Sequence, residues 1–286
     1  MACGDLEIVL LVEDTVHKRG FMAEHGLSFW IRYGGDDYLF DTGQGLVLLH
    51  NATKMGIDLS KLVGVFLSHG HYDHTGGLKD LLNIVPDLKV YAHPGIFNPK
   101  YYQGDNELRE TGIDIKRQAV PGFIPVEGVK EIADGIWVIN QIPRATGFEE
   151  IDSNFKVYKV SSGEELSKFG PEDELSVDDF TDDQSLFIKT EKGLVVLVGC
   201  SHAGIVNILE YIWKVTEDKD IYAIIGGMHL IGVKEERINR TVDYLADLDF
   251  QLLVPLHCTG IGAINQMINR LGERVRIAYT GDSFSF

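Results

Sequence analysis

Short apolar runs and longer periodic stretches alternate along the chain. The short runs, bounded by turn residues, read as buried strands. In the first half they are Leu6 to Val12, Leu27 to Tyr33, Tyr38 to Phe40, Leu62 to Leu67 and Lys89 to Ala92. Ile136 to Ile139, Ser185 to Ile188, Gly193 to Val198, Ile221 to Ile225, Leu252 to Leu256 and a closing Arg274 to Tyr279 follow. Gly34-Gly35-Asp36-Asp37 and Glu191-Lys192 have the turn chemistry of hairpins. Between the strands, apolar residues recur at helical spacing: Leu78, Leu81 and Leu82; Ile205, Ile208, Leu209 and Ile212; Ile238, Val242 and Leu245; Ile264, Met267, Ile268 and Leu271. Each set puts one apolar face on a helix, and Leu46 to Met55 reads as a shorter one. The pattern predicts an α/β fold.

From 95 to 183 this pattern weakens. The chain of 286 residues is therefore expected to be a single domain, 1–286, with an irregular insertion around 95–183 that shapes the active site. The acidic residues Glu164, Glu165, Glu172, Asp173, Glu174, Asp178 and Asp179 read as a solvated face or mobile loop. A long irregular insertion is also where lids over active sites occur.

The chemistry concentrates at strand ends. Four times a buried strand runs into a small-residue turn bearing histidine and then into an amphipathic helix: at His69-His71-His74, at His202, at His229 and at His257. Ligands in α/β folds gather outside the carboxyl ends of strands, and six of the ten histidines stand there. The first turn is the densest. His69 and His71, two apart in extended chain, point to one side, and Asp73 and His74 approach from the following helical turn. Neutral imidazole with carboxylate is the donor set of zinc or a similar divalent ion. His17 and His25, between the first two strands, read as exposed loop residues, and His50 as a helix-surface residue. His93, at another strand end, is open between a structural role and one facing the cavity.

Bulk properties narrow the partners. A net charge of −17 disfavours nucleic acid, which needs a basic face. A small anionic substrate stays open, because a metal ion brings its own positive charge. No apolar run approaches a membrane span and the N-terminal residues lack the pattern of a signal peptide, so no membrane partner is expected. Three cysteines, Cys3, Cys200 and Cys258, argue against a disulfide framework and for a reducing cytoplasm. Self-association into a homo-oligomer is left open.

Ser68-His69-Gly70-His71-Tyr72-Asp73-His74, preceded by Phe40-Asp41-Thr42-Gly43, resembles the signature of the metallo-β-lactamase superfamily. The resemblance implies a four-layer αββα sandwich and two divalent ions, zinc first, with manganese, iron or magnesium as alternatives. It implies one site made by His69, His71 and a later histidine, and another made by Asp73, His74 and a histidine near the C-terminus, which His257 matches. Two motifs depart from the usual pattern. The stretch Asp182-Asp183-Gln184-Ser185 carries no histidine, and the next strand ends in Gly199-Cys200 where the family has Gly-Asp. His202 is the candidate to complete the first site. Cys200 either takes the aspartate position or is a small buried thiol. His229 is a further ligand or a hydrogen-bond donor to substrate. Asp41 would orient the metal loop, since a ligating histidine needs an acceptor for its other ring nitrogen.

With Gly226-Gly227-Met228-His229-Leu230 and His257-Cys258-Thr259-Gly260, these motifs look like one subgroup. It takes its name from a pterin transferase of methanopterin biosynthesis, and most of its members are described only as metal-dependent hydrolases. The leading expectation is a hydrolase of a small anionic ester or phosphate. Two cations roughly 3.5–4 Å apart would activate a water, Asp73 would orient it or act as base, and His229 or His202 would stabilise the oxyanion. The alternative is a pterin transferase releasing pyrophosphate, with Arg144 for a phosphate and Tyr101, Tyr102, Phe148 and Phe155 around the ring. A third is a non-catalytic metal or redox sensor using Cys200 and Cys258.

Overall fold

The computed structural model describes residues 5–105, 107–158, 175–217 and 220–286. In chain order the strands are β1 (Leu6–Val12), β2 (Ser28–Tyr33), β3 (Asp36–Phe40), β4 (Leu62–Phe66), β5 (Val90–Ala92), β6 (Lys100–Gln103), β7 (Leu108–Glu110), β8 (Phe123–Pro125) and β9 (Val129–Ala133). They continue as β10 (Ile136–Ile139), β11 (Phe155–Val157), β12 (Ser176–Val177), β13 (Ser185–Thr190), β14 (Gly193–Val198), β15 (Ile221–Gly227), β16 (Leu252–Leu256) and β17 (Ser283–Ser285). The helices are α1 (Leu48–Met55), α2 (Tyr72–Thr75), α3 (Leu78–Ile84), α4 (Ile205–Thr216), α5 (Glu235–Asp247) and α6 (Ile261–Leu271).

Two main sheets form, ordered β17-β1-β2-β3-β4-β5-β8 and β16-β15-β14-β13-β10-β9. Side chains two apart on a strand share a face, and here both faces are buried. Leu186, Ile188, Val195 and Leu197 meet Phe29, Ile31, Phe40 and Phe66 between the sheets. Their neighbours Phe187, Val196 and Val198 instead pack beneath Ile208, Leu245 and Met267 of α4, α5 and α6. On the far side Leu48, Ala52, Leu78 and Leu81 of α1 and α3 cover Val9, Leu11, Leu39 and Val65. This two-sided burial explains why the strands read as continuous apolar runs rather than alternating ones. The result is the expected four-layer αββα sandwich.

Parallel pairing aligns the carboxyl ends that matter. β3, β4 and β5 run parallel, and so do β14, β15 and β16. The two sets meet where β4 and β14 end: a Cβ on Gly199 would stand 2.2 Å from Ser68 Oγ and 3.2 Å from Asp41 Oδ2. Only glycine permits that approach.

Three expectations need correction. Arg274 to Tyr279 is not a strand. Val275 makes a lone bridge to Leu253, and the Arg274 guanidinium is spent on the carbonyls of Leu248 and Ala246. The chain is held there by single contacts, and β17, paired antiparallel with β1, is the element that closes the sheet. The described part of 95–183 is also more regular than its weak pattern suggested, since β6, β7, β11 and β12 build a small antiparallel sheet. Glu164, Glu165, Glu172, Asp173, Glu174 and Cys3 lie outside the described residues. Asp178 does not belong to a solvated face: it is 2% exposed and its carboxylate lies 2.5 Å from Lys100 Nζ. No described helix is long and apolar enough to cross a membrane.

Candidate metal centre

The strand ends leave regular geometry as they enter the site. Asp41, Ser201, His229 and His257 all have positive φ, at 61°, 56°, 44° and 47°. Non-glycine residues seldom adopt this conformation, and it persists where the surroundings over-determine it. The surroundings here are hydrogen bonds between neighbouring ends. Ser201 Oγ donates to Gly227 O at 2.7 Å, Met228 N–H to Thr259 Oγ1 at 3.1 Å and His229 N–H to Cys258 Sγ at 3.2 Å.

Asp41 organises the first turn. Oδ1 accepts the Ser68 N–H at 2.6 Å. Oδ2 accepts Ser68 Oγ–H at 2.7 Å and faces His74 Nδ1 at 2.6 Å. Ser68 Oγ, its hydrogen given to Asp41, can accept from His69 Nδ1 at 2.8 Å. One buried carboxylate thereby fixes two imidazoles with Nδ1 outward and Nε2 toward the chamber.

His69, His71 and His202 come together there, with ligand atoms within 4.8 Å of one another. His69 Nε2 is 2.9 Å from His71 Nδ1. His71 Nε2 and His202 Nε2 are buried without hydrogen-bond partners, which is costly for a polar atom left so. Phe180 stacks on His202 at 4.0 Å and Phe155 on His71 at 5.1 Å, walling the rings from water. Burial disfavours the imidazolium, so His69 and His202 are held well below the usual histidine range and His71 is pushed down to about 3. These rings are neutral and offer lone pairs.

The second cluster differs. Asp73 Oδ2 lies 3.8 Å from His74 Nε2 and 3.3 Å from His257 Nε2. Burial works against charge on both imidazoles, but for His74 the carboxylates of Asp41 and Asp73 outweigh it, and for His257 those of Asp14 and Asp73 do. Both pKa values are raised. Burial likewise opposes ionisation of Asp73, and His74 and His257 overcome it to hold that carboxyl well below its usual range. Cys200 Sγ lies 3.1 Å from His74 Nε2 and belongs equally to groups with His69 and His74, with His202 and His229, and with His257 and Cys258. It stands between the clusters, buried, its thiol pushed up by that burial; a coordinated ion would deprotonate it outright.

The donor set fits divalent ions. Ligands at ~2.0–2.1 Å around a tetrahedral ion stand about 3.3–3.4 Å from one another. The separations of 3.3 Å at Asp73 and 3.1 Å between His74 and Cys200 are of that size, and the orphaned His202 Nε2 is what an ion would satisfy.

Three residues outside the sequence-derived set support the chamber. Lys100, 1% exposed, lies 2.9 Å from Asp182 Oδ1 as well as against Asp178, and Asp182 Oδ2 accepts the Gly70 N–H at 2.9 Å. Gln184, in the stretch lacking a histidine, spends its side-chain N–H groups on the carbonyls of Leu67 and Tyr91. Glu13 accepts the His257 N–H at 3.0 Å. Each is distant in sequence from what it holds, and no local spacing marks it. His25 is a further difference from expectation. Its ring, 53% exposed, brings Nε2 to 3.3 Å from Asp73 Oδ2. His17 stacks on Tyr279, His50 Nε2 lies 2.7 Å from Gly20 O, and His93 Nδ1 accepts the Gly95 N–H.

Arg144 donates to the carbonyls of His202 (2.8 Å) and Asp179 (3.2 Å), so it braces the His202 turn. A cavity of about 520 Å³ opens beside the chamber, with His229 in its wall. Its cations are Lys234, Arg237 and Arg240, and Tyr102 and Phe148 supply aromatic surface. Arg240 lies over the Phe148 ring at 4.3 Å. His229 Nδ1 is buried without a hydrogen-bond partner.

Comparison with known proteins bears on the family and the fold. The metallo-β-lactamase superfamily pattern matches residues 23–211. An uncharacterized protein of Methanocaldococcus jannaschii is 33% identical over 91% of this chain and 93% of its own length. A 7,8-dihydropterin-6-methyl-4-(β-D-ribofuranosyl)-aminobenzene-5′-phosphate synthase of the same organism is 29% identical over 99% and 97%. A solved structure described as a metal-dependent hydrolase of the β-lactamase superfamily superposes with a TM-score of 0.81 at 29% identity, covering 98% of both chains.

Proposed function

The chain belongs to the metallo-β-lactamase superfamily, and from that premise we propose that it is a metal-dependent hydrolase of a small anionic ester or phosphate. The observation that carries this reading is the pair of donor clusters beside a cation-bearing cavity. His69, His71 and His202 would hold one divalent ion, zinc first, and Asp73, His74 and His257 the other, with Cys200 between them. Ions bound there supply a water of lowered pKa and polarise a carbonyl or phosphoryl oxygen. Asp73, an ionised carboxylate in the middle of the cluster, orients the attacking water and accepts its hydrogen bond. His229, in the cavity wall with an unspent ring nitrogen, would donate to the oxygen that gains charge. Lys234 and Arg240 would take the anion-binding role first considered for Arg144, because the guanidinium groups of Arg144 and Arg237 donate to backbone carbonyls. A cavity of this size suits a metabolite rather than a polymer, and the net charge of −17 opposes nucleic acid. Two free buried cysteines suit a reducing compartment.

Phosphomonoester, phosphodiester and lactone reporters should be turned over only by metal-loaded protein, and His71→Ala should abolish that turnover. Activity that survives this change or thorough chelation would sink the hydrolase reading. A second reading, a pterin transferase, is favoured by the aromatic residues Tyr102, Phe148 and Phe155 near the cavity and chamber and by the likeness to the synthase of M. jannaschii. It predicts pyrophosphate release that requires both a pterin diphosphate and an arylamine.

A further inference from the structure

We propose that His25 is a ligand of the second metal ion, presented by the loop between β1 and β2 and aligned by Asp14. Asp14 holds two imidazoles in the same way. Its Oδ1 lies 2.8 Å from His257 Nδ1 and its Oδ2 3.2 Å from His25 Nδ1. Each ring then turns Nε2 toward one atom, Asp73 Oδ2, 3.3 Å away in both cases. Metal-bound histidines characteristically spend one ring nitrogen on a carboxylate and the other on the ion. His257 has this mounting and His25 repeats it. Asp14 on one side of the chamber thus mirrors Asp41 on the other, one carboxylate aligning two histidines.

The loop is built to hold His25 there. Gly26 N–H donates to Asp14 Oδ1 at 3.0 Å, and the Gln44 side-chain amide donates to His25 O at 2.6 Å. The Glu24 carboxylate accepts the N–H groups of Gln44, Gly45 and Leu46. Leu27 N–H reaches Asp73 O at 3.3 Å, tying the loop to the ligand's own backbone. Gly26, at φ 146°, has no room for a side chain: a Cβ would lie 2.4 Å from Asp73 O. A surface imidazole needs no such seat. With His25 the second ion gains a donor at the open rim, beyond the Asp73, His74 and His257 set that the family signature implies.

His25 as a ligand presupposes the two-ion reading above, and its test is made without substrate. Wild type and His25→Ala, stripped with chelator, are titrated with Co²⁺ and followed by visible absorption and by equilibrium dialysis. The expected result is two equivalents bound by wild type. In the variant the first equivalent should be unchanged and the second weakened at least about tenfold, with altered absorption for that ion. Gly26→Ala, which keeps the imidazole but displaces the loop, should weaken the same ion. Equal thermal unfolding of the metal-free proteins excludes a folding defect. A His25→Ala protein that holds both ions with wild-type affinity and spectrum overturns the assignment, even if turnover falls. A wild type that binds one ion overturns it too, and leaves metal-dependent hydrolysis to be judged by the reporter assay.

Discussion

The two donor clusters share one chamber yet are tuned in opposite directions. Around His69, His71 and His202 burial dominates, and the imidazoles are neutral without an ion. Around His74 and His257 the carboxylates of Asp41, Asp73 and Asp14 outweigh burial, and the same side chain holds a proton to higher pH. Residue type alone does not set a histidine's readiness to bind metal; the charges within contact do. An ion entering the first cluster would meet neutral rings, whereas one entering the second would compete with protons drawn there by the neighbouring carboxylates.

Four experiments would break or sharpen this contrast, from the largest expected effect to the smallest. His202→Ala leaves two of the three neutral donors, and the first ion should bind at least about 100-fold more weakly, read by chelator competition. An unchanged affinity would remove His202 from the site. Next, Lys100→Met strands the buried carboxylates of Asp178 and Asp182, and losing one partner of a buried pair costs ~3–5 kcal/mol. Thermal unfolding should fall by roughly 10 °C, and a shift under 2 °C (about 1 kcal/mol or less) would deny the triad its structural role. Asp41→Asn should weaken both ions by about 10–100-fold, because Asp41 orients His74 directly and His69 through Ser68. Losing one ion alone would show the Ser68 relay to be idle. The smallest effect is in pH. A raised folded pKa means protons compete with the ion up to higher pH, and a lowered one means they do not compete until far lower pH. Acidification should therefore release the ion at Asp73, His74 and His257 before the one at His69, His71 and His202. Metal content followed by dialysis across the pH range tests the order, and the reverse order contradicts it.

Much of the fold was legible because it is written in local pattern. Both faces of the strands around Val196 and Val65 are buried, so the runs are continuously apolar, and the helices show their single faces at three-and-four spacing. Arg274 to Tyr279 misled because its residues make separate contacts rather than a ladder: Arg274 donates to Leu248 O, Val275 bridges Leu253 and Tyr279 stacks on His17. Within the site, His69, His71, Asp73 and His74 stand out since one turn supplies them all. Asp14, Glu13, Lys100 and His25 do not, because their partners lie far along the chain: Glu13 meets His257, and Lys100 meets Asp178 and Asp182. Asp178 sits in an acidic run that reads as solvated, and only the buried lysine opposite gives it another meaning. Arg144 read as a free cation until the carbonyls of His202 and Asp179 accounted for it.

The central claim is that one chamber holds two ions in two differently tuned donor sets. Crystals of metal-loaded protein, measured at and below the metal's absorption edge, test it most directly. Two anomalous peaks per chain are predicted, one bounded by His69, His71 and His202 and the other by Asp73, His74 and His257. A single peak, or peaks away from these residues, would contradict it.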